Sequence, residues 1–594
     1  MSIEASHADS KSIRLDTVFL TGIFVYFIFT VADGIRIFQQ FSWLQVTSVG
    51  AIFLLLSTAL MGVFNLKKLS LLSFRFSASA LLVGFLLAVV LFVIGLSALN
   101  NWIDYFPSSP LAELNEGRGL HPDTVFHVSL IQSILNVGYP STGQHGLPFL
   151  PYHVLSHYVD AGILAITGLE PLDAYGLLYH FKIFAFLTAG VVFLWTILRT
   201  KNSIWVTVAV LLFIPALAGN WLVIGSEGLW FTSLIVLYSA PLVYRILIGS
   251  TFSTVHLLIL SSLGIVIGVG KVSSGLAFAL LVGFYLLFKH FKNPRIYLLG
   301  TIWVVFFAIF SVAQDSGSSG GIKLPHLSGI TGFLNPWTTY PGGPVEWNLV
   351  GIYAVVAVLL LVWFLAKYKQ ALLLAVSTGI SLLLLSLLMM LPAPAGLTQP
   401  DIAYFVLGLY FLLLLLGLIC SIDAVSELSN QGQSTSASWR SQLIVTAMLL
   451  FSLVLPKPDL SHVSFQPVAD KQQGSVEIFR AELASYMRAH GLSKHNSNLI
   501  IPREEFETSI AAWGSPYWSE GMNVYALTGV PLRFGVTDAS VQNFGQNGYK
   551  DSLAKTRQEL AGLESKHEFS SSYVVLEQSQ PLGFRIVRYQ KEMH

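Results

Sequence analysis

Ile402-Ala-Tyr-Phe-Val-Leu-Gly-Leu-Tyr-Phe-Leu-Leu-Leu-Leu-Leu-Gly-Leu-Ile-Cys420 contains no charged side chain, no amide and no proline. A helix of that length is about 28 Å long, close to the hydrocarbon thickness of a bilayer. A helix on a soluble core keeps a polar face, and this stretch has none to offer. The stretch therefore reads as a membrane span. The rest of the chain agrees: 54% of the 594 residues are hydrophobic and 11% are charged, where a soluble domain carries about a quarter charged residues. The mean hydropathy is +0.66.

Working outward from that run, about thirteen segments satisfy the same criterion. They lie near 17–38, 44–65, 78–98, 175–198, 204–221, 229–247, 254–270, 274–291, 296–313, 347–366, 370–391, 402–420 and 441–456. The first sixteen residues are polar and no small-residue cleavage site follows the first run, so that run reads as a retained span. With the N-terminus inside, the inner connections collect Lys11, Arg14, Lys67, Lys68, Arg75, Arg199, Lys201, Arg245, Lys289, Lys292, Arg295, Lys367 and Lys369, as short cytoplasmic loops do. An odd number of spans then places residues 457–594 outside.

The charge is unevenly spread, with 29 of the 65 Asp, Glu, Lys and Arg residues at or beyond Lys457. Four regions follow: the N-terminal tail and three spans over 1–98, a large outer loop over 99–174, the remaining bundle over 175–456 with an outer loop at 314–346, and a soluble tail over 457–594. The expected fold class is an α-helical polytopic membrane protein with a small C-terminal α/β domain outside the cytoplasm. In that tail a helix near 475–490 ends at Gly491, Asn498–Ile501 reads as a strand, and Tyr573–Leu576 with Gly583–Arg588 reads as a terminal hairpin. The net charge of +1 and the lack of basic blocks exclude a nucleic-acid partner. One cysteine, Cys420, permits no internal disulfide. No Asn-x-Ser/Thr acceptor occurs in the chain, which favours a bacterial periplasm over an ER lumen and places the protein in a bacterial inner membrane.

The outer loop holds the densest polar chemistry. Asn101-Trp-Ile-Asp104 leads through Glu113, Glu116 and Arg118 to His121-Pro-Asp123-Thr-Val-Phe-His127. Pro122 and Asp123 are a good helix start and Gly138 a good stop. Between them Val128, Ile131, Ile134 and Leu135 form an apolar stripe, and Ser129, Gln132, Ser133 and Asn136 a polar one, as on an interfacial helix lying on the outer leaflet. Asp123 and His127, four residues apart, share one side of that helix. After Tyr139-Pro and His145-Gly-Leu-Pro, the step Pro151-Tyr-His153 enters a second helix with His153, His157 and Asp160 on adjacent turns.

The Asp-x-x-Phe-His signature, the Gly-x-Pro turn and the Pro-Tyr-His step, inside a many-span body with an outer tail, resemble bacterial glycosyltransferases of the GT-C superfamily. That resemblance implies transfer of a sugar from a polyprenyl-phosphate or polyprenyl-diphosphate carrier. It also implies a catalytic acid in the first large outer loop, where Asp123 is the matching position. The chain differs from the usual family layout in placing two spans before the hairpin that opens into this loop.

Inverting transfer needs a base to deprotonate the acceptor hydroxyl and something to stabilise the departing phosphate. Asp123 fits the first role, with Asp104 as its rival and helix capping as the alternative. His127 is placed to orient Asp123 or to touch phosphate. Lys271, in Gly268-Val-Gly-Lys-Val-Ser273-Ser274-Gly275 between two short spans, fits the second role. Its alternative is a lysine snorkelling to headgroups. A divalent cation is the other counter-charge for the phosphate, but His153 and His157 at i,i+4 lack the third ligand a zinc site needs, so hydrogen bonds around the substrate are their expected role. Glu227 in Gly225-Ser-Glu-Gly and Asp401 stand at outer helix ends as substrate contacts or dipole partners. Trp337 and Tyr340 in the 314–346 loop can stack on sugars or belong to the interfacial aromatic belt.

The expected partners are thus a polyprenyl-phosphate sugar, a glycan, lipid or protein acceptor, and membrane lipids. An O-antigen polymerase or ligase shares this architecture but leans on paired arginines, and Arg118 is nearly alone in the loop. A transporter would show mid-span charges and related halves. An assembly scaffold would lose activity in no single-residue variant.

Overall fold

A computed structural model describes residues 122–143, 147, 150, 155–175, 178, 193, 227–315, 345–390, 399–431, 443, 475–489, 491–494, 497–500, 520–532, 572–579 and 583–590. The spans expected at 17–38, 44–65, 78–98, 175–198, 204–221 and 441–456 lie wholly or almost wholly outside these residues. In chain order the elements are α1 Pro122–Val137, α2 Leu155–Thr167, α3 Glu227–Ile248, α4 Thr254–Gly270, α5 Val272–His290, α6 Pro294–Asp315, α7 Val345–Ala366, α8 Lys369–Met390, α9 Gln399–Gln431 and α10 Ser475–Ala489. They continue with β1 Ser497–Ile500, α11 Glu520–Thr528, β2 Ser572–Ser579 and β3 Gly583–Gln590.

The chain divides into two compact units. The bundle unit takes in 182–463 and the loop–tail unit joins 101–181 to 464–594. The outer loop and the tail, far apart in sequence, are therefore parts of one body.

Among the described residues of the bundle unit, three stretches are helices long and apolar enough to cross a membrane: Glu227–Ile248, Val272–His290 and Gly408–Val425. Apolar side chains on α4, α6, α7 and α8 stand open, among them Leu258, Val304, Ile309, Phe364 and Leu383. Val304 and Phe364 are 69% and 72% exposed, a surface suited to lipid rather than water. At one end, Lys289 Nζ donates to Leu247 O at 2.6 Å, Arg295 Nε to Thr254 Oγ1 at 3.2 Å, and the Tyr244 and Tyr368 hydroxyls meet at 3.4 Å. Those contacts gather Arg245, Lys289, Arg295, Lys367 and Lys369 near that end, as alternating spans require. At the opposite end the helices touch through small residues: a Cβ on Gly275 would stand 2.3 Å from Gly268 Cα, and one on Gly408 would stand 2.8 Å from Ser274 Cα. Close backbone approach of this kind is how membrane helices pack without a hydrophobic driving force between them.

In the loop–tail unit, α1 begins at Pro122, whose missing N–H costs nothing at that position, and ends at Gly138, whose φ of 84° only glycine adopts freely. Its polar stripe does not face water as an interfacial helix would: Ser129, Gln132 and Ser133 are buried along with Val128, Ile131 and Ile134. Protein covers both faces because α2 packs on one side and α11 on the other. The sheet runs β1-β2-β3, with β1 parallel to β2 and β2 antiparallel to β3. A parallel pair needs a crossover, and α11 lies within the connection between β1 and β2. Beyond β1, Leu499 N–H donates to Pro531 O and Leu532 N–H to Gly143 O, each at 2.8 Å. Residues 531–532 thus bridge the sheet to the turn that follows α1.

Candidate functional site

Among the described residues, each unit buries a group of polar side chains that includes residues singled out from the sequence. In the loop–tail unit His127 Nδ1 lies 2.8 Å from His157 Nε2, and both side chains are buried. The rings are 5.0 Å apart and tilted by 35°. One nitrogen of a neutral imidazole donates and the other accepts, so a single proton occupies the space between them. Ser156 Oγ stands 3.4 Å from His157 Nδ1, and Asp160, one turn on, is 1% exposed. The structure therefore joins two histidines that sequence placed 30 residues apart. His157 is fully enclosed. Asp123 lies one turn before His127 on α1, and its side chain lies outside the described residues.

In the bundle unit Lys271 is the single residue between α4 and α5, which have 17 and 19 residues. Its backbone is extended at φ −160° and ψ 113°. Its N–H closes α4 on Ile267 O at 2.8 Å, and its carbonyl accepts from Gly275 N–H at 3.0 Å in the first turn of α5. Lys271 is 8% exposed, so protein covers its stem and ammonium rather than leaving them extended toward headgroups. Ser273 and Ser274 occupy the first turn of α5, where backbone N–H groups have no intrahelical acceptor. Among the described residues the Ser273 hydroxyl is buried without a hydrogen-bond partner. Ser274 Oγ instead accepts from Thr232 Oγ1 at 3.4 Å, tying α5 to α3.

That contact fixes the level of Glu227. Glu227 is five residues before Thr232 and Lys271 three before Ser274, so both rise toward the same end, by about 7.5 and 4.5 Å respectively. Glu227 is 2% exposed, and its Oε2 accepts from Trp230 Nε1 at 3.4 Å. The structure thus brings Lys271, Ser273, Ser274 and Glu227 to one end of the bundle. Asp104, His153, Trp337 and Tyr340 lie outside the described residues, and Asp401 is placed in α9 by its backbone alone. Among the described residues no three His, Cys, Asp or Glu side chains converge on a metal position.

Sequence reasoning passed over Ser156 and assigned no role to Asp160. The available signal was the Ser156-His157-x-x-Asp160 cluster inside an otherwise apolar helix, since buried charge in such a setting marks function or a built hydrogen-bond network. It also missed Tyr525, whose phenol pKa is pushed up by burial while nearby Asn136 and Ser133 oppose the shift. No local pattern pointed to it. No protein-family model matches the chain, and comparison with curated proteins finds no match.

Proposed function

We propose that the protein is a polytopic membrane glycosyltransferase, with about thirteen spans and an outer α/β domain, that moves a sugar from a polyprenyl-phosphate carrier to an acceptor outside the cytoplasm. The observation that carries this reading is a buried lysine two residues before a buried hydroxyl that has no hydrogen-bond partner among the described residues, both at the start of α5. A cation, hydroxyl donors and a helix N-terminus together suit a phosphate, and glycine-interrupted short spans are where membrane proteins build such sites. The exposed apolar belt of the same unit would put that phosphate at the end of a hydrocarbon span, where a lipid carrier presents it.

In this scheme Lys271, Ser273 and Ser274 hold the carrier phosphate and receive the negative charge that develops as the glycosidic bond breaks. Asp123 takes the proton of the acceptor hydroxyl, and His127, held by His157, orients it. Glu227 balances the charge of the lysine site. Asp104, His153, Trp337 and Tyr340 remain candidate substrate contacts. A divalent cation would supplement the phosphate site without replacing Lys271. Mass-spectrometric comparison of cell-surface glycans with and without the intact protein tests the reading. A single sugar missing from one glycan supports it, and identical glycan profiles overturn it.

A further inference from the structure

The last turn of α1 is bound to the segment after α11 through one side chain, which a neighbour on α1 holds in place. Asn136 Nδ2 donates to the Gly529 carbonyl at 2.8 Å, across 393 residues of sequence. Gln132 Nε2 donates to Asn136 Oδ1 at 3.2 Å. Gly529 has φ 68°, and a Cβ there would stand 2.9 Å from Gln132 Nε2. The backbone therefore demands glycine, and a larger residue would also push the Gln132 amide out of place. On the far side of the turn, Tyr525 lies on Gly143, where a Cβ would overlap its ring at 1.9 Å. The arrangement holds α1 against sliding and against rotation about its own axis.

Rotation of a stiff helix carries along its whole length. Side-chain atoms about 6 Å from the axis move about 1 Å for every 10° of turn, so a slip at Asn136 displaces the face that carries Asp123 and His127. Misplacement on that scale is enough to cost a large part of catalysis.

We infer that Asn136 and Gly529 form a latch by which the C-terminal segment positions α1, so that the tail is part of the transfer site and not only a cap. The effect on turnover rests on the proposed transferase reading, whereas the latch itself does not. Asn136 is a positioning residue, acting through the helix it anchors.

The test uses the full chain in lipid nanodiscs, carrying Asn136→Asp, Gly529→Ala or the conservative Asn136→Gln. Two quantities are read: the rate at which diethyl pyrocarbonate labels His127 and His157, located by mass spectrometry, and kcat and KM for release of polyprenyl phosphate from synthetic polyprenyl-phosphate hexoses, with an extract of cell-envelope lipids and glycans as acceptor of the sugar. The aspartate keeps the size of Asn136 but cannot donate to Gly529. The latch predicts faster labelling of both histidines in Asn136→Asp and Gly529→Ala, with kcat lowered about tenfold and KM little changed. Asn136→Gln should recover part of both. Labelling rates equal to the wild type overturn the latch, and faster labelling with unchanged kcat overturns its positioning role. If the wild-type chain turns over none of these donors, the transferase reading fails, and the labelling alone decides whether the latch exists.

Discussion

His127 and His157 face each other with 2.8 Å between Nδ1 and Nε2, in a core formed by α1 and α2. An apolar residue in place of either histidine removes this hydrogen bond from the other. His157→Leu leaves the inward nitrogen of His127 without this partner, which costs about 1–3 kcal/mol. Thermal unfolding of the full chain should show the loss, and His157→Gln, which can still donate or accept, should show a smaller one. Equal midpoints for the leucine and glutamine variants would mean that the pair contributes only packing.

Lys271 and Ser273 should separate binding from stability. Ser273→Ala removes a buried hydroxyl that has no partner among the described residues, so the unfolding temperature should hold or rise. Lys271→Met keeps most of the stem and loses the charge. Both variants should bind polyprenyl phosphate more weakly, Lys271→Met by about tenfold or more, since charge-assisted hydrogen bonds are the strong ones. Titration of lipid nanodiscs with a short-chain polyprenyl phosphate reads this directly. Unchanged affinity in Lys271→Met removes the residue from the phosphate site.

Two glycines of the bundle are expected to behave in opposite ways. Gly275→Ala drives a methyl into Gly268 and must open the α4–α5 hairpin that carries Lys271, whereas a Cβ at Gly300 meets nothing within 4 Å. The first should destabilise the bundle by about 1–3 kcal/mol. The second should stabilise α6 by up to about 1 kcal/mol, the usual gain of alanine over glycine inside a helix. Unfolding in detergent measures both.

Tyr525 sets an alkaline limit on the loop–tail unit. Its pKa is raised from 10.0 chiefly by burial, so the folded chain holds the proton that the unfolded chain releases above that pH. Its contribution to stability is complete below 10.0 and is lost progressively as pH rises toward the raised value. Tyr525→Phe should flatten the fall in unfolding temperature between about pH 9 and pH 11. An unchanged slope would assign the alkaline loss to other groups.

The apolar helices were legible because composition alone dictates them. The expected span at 254–270 coincides with α4, and those at 229–247, 274–291, 296–313, 347–366 and 370–391 lie within about two or three residues of helices α3, α5, α6, α7 and α8. The run at 402–420 was read too short, since α9 continues to Gln431 through Ser421, Asp423 and Glu427, residues that end an apolar run without ending a helix. Punctuation was legible as well: Pro122 opens α1, and Gly138 and Gly491, with φ of 84° and 66°, follow α1 and α10. Two features left no local trace. The polar stripe of α1 looks the same whether water or α11 covers it, and only Gly529, 393 residues beyond Asn136, decides between them. The lone proton between His127 and His157 likewise depends on two helices meeting, which neither helix encodes by itself.

The most direct measurement gives the purified full chain, in lipid nanodiscs, a set of radiolabelled polyprenyl-phosphate sugars together with an extract of cell-envelope lipids and glycans as acceptor. The account predicts that the wild-type chain moves label from one donor into the extract and that Asp123→Asn, inserted normally, does so about 100-fold more slowly or worse. Near wild-type transfer by Asp123→Asn would contradict the assignment of the base, and no transfer by the wild-type chain from any donor would contradict the account itself.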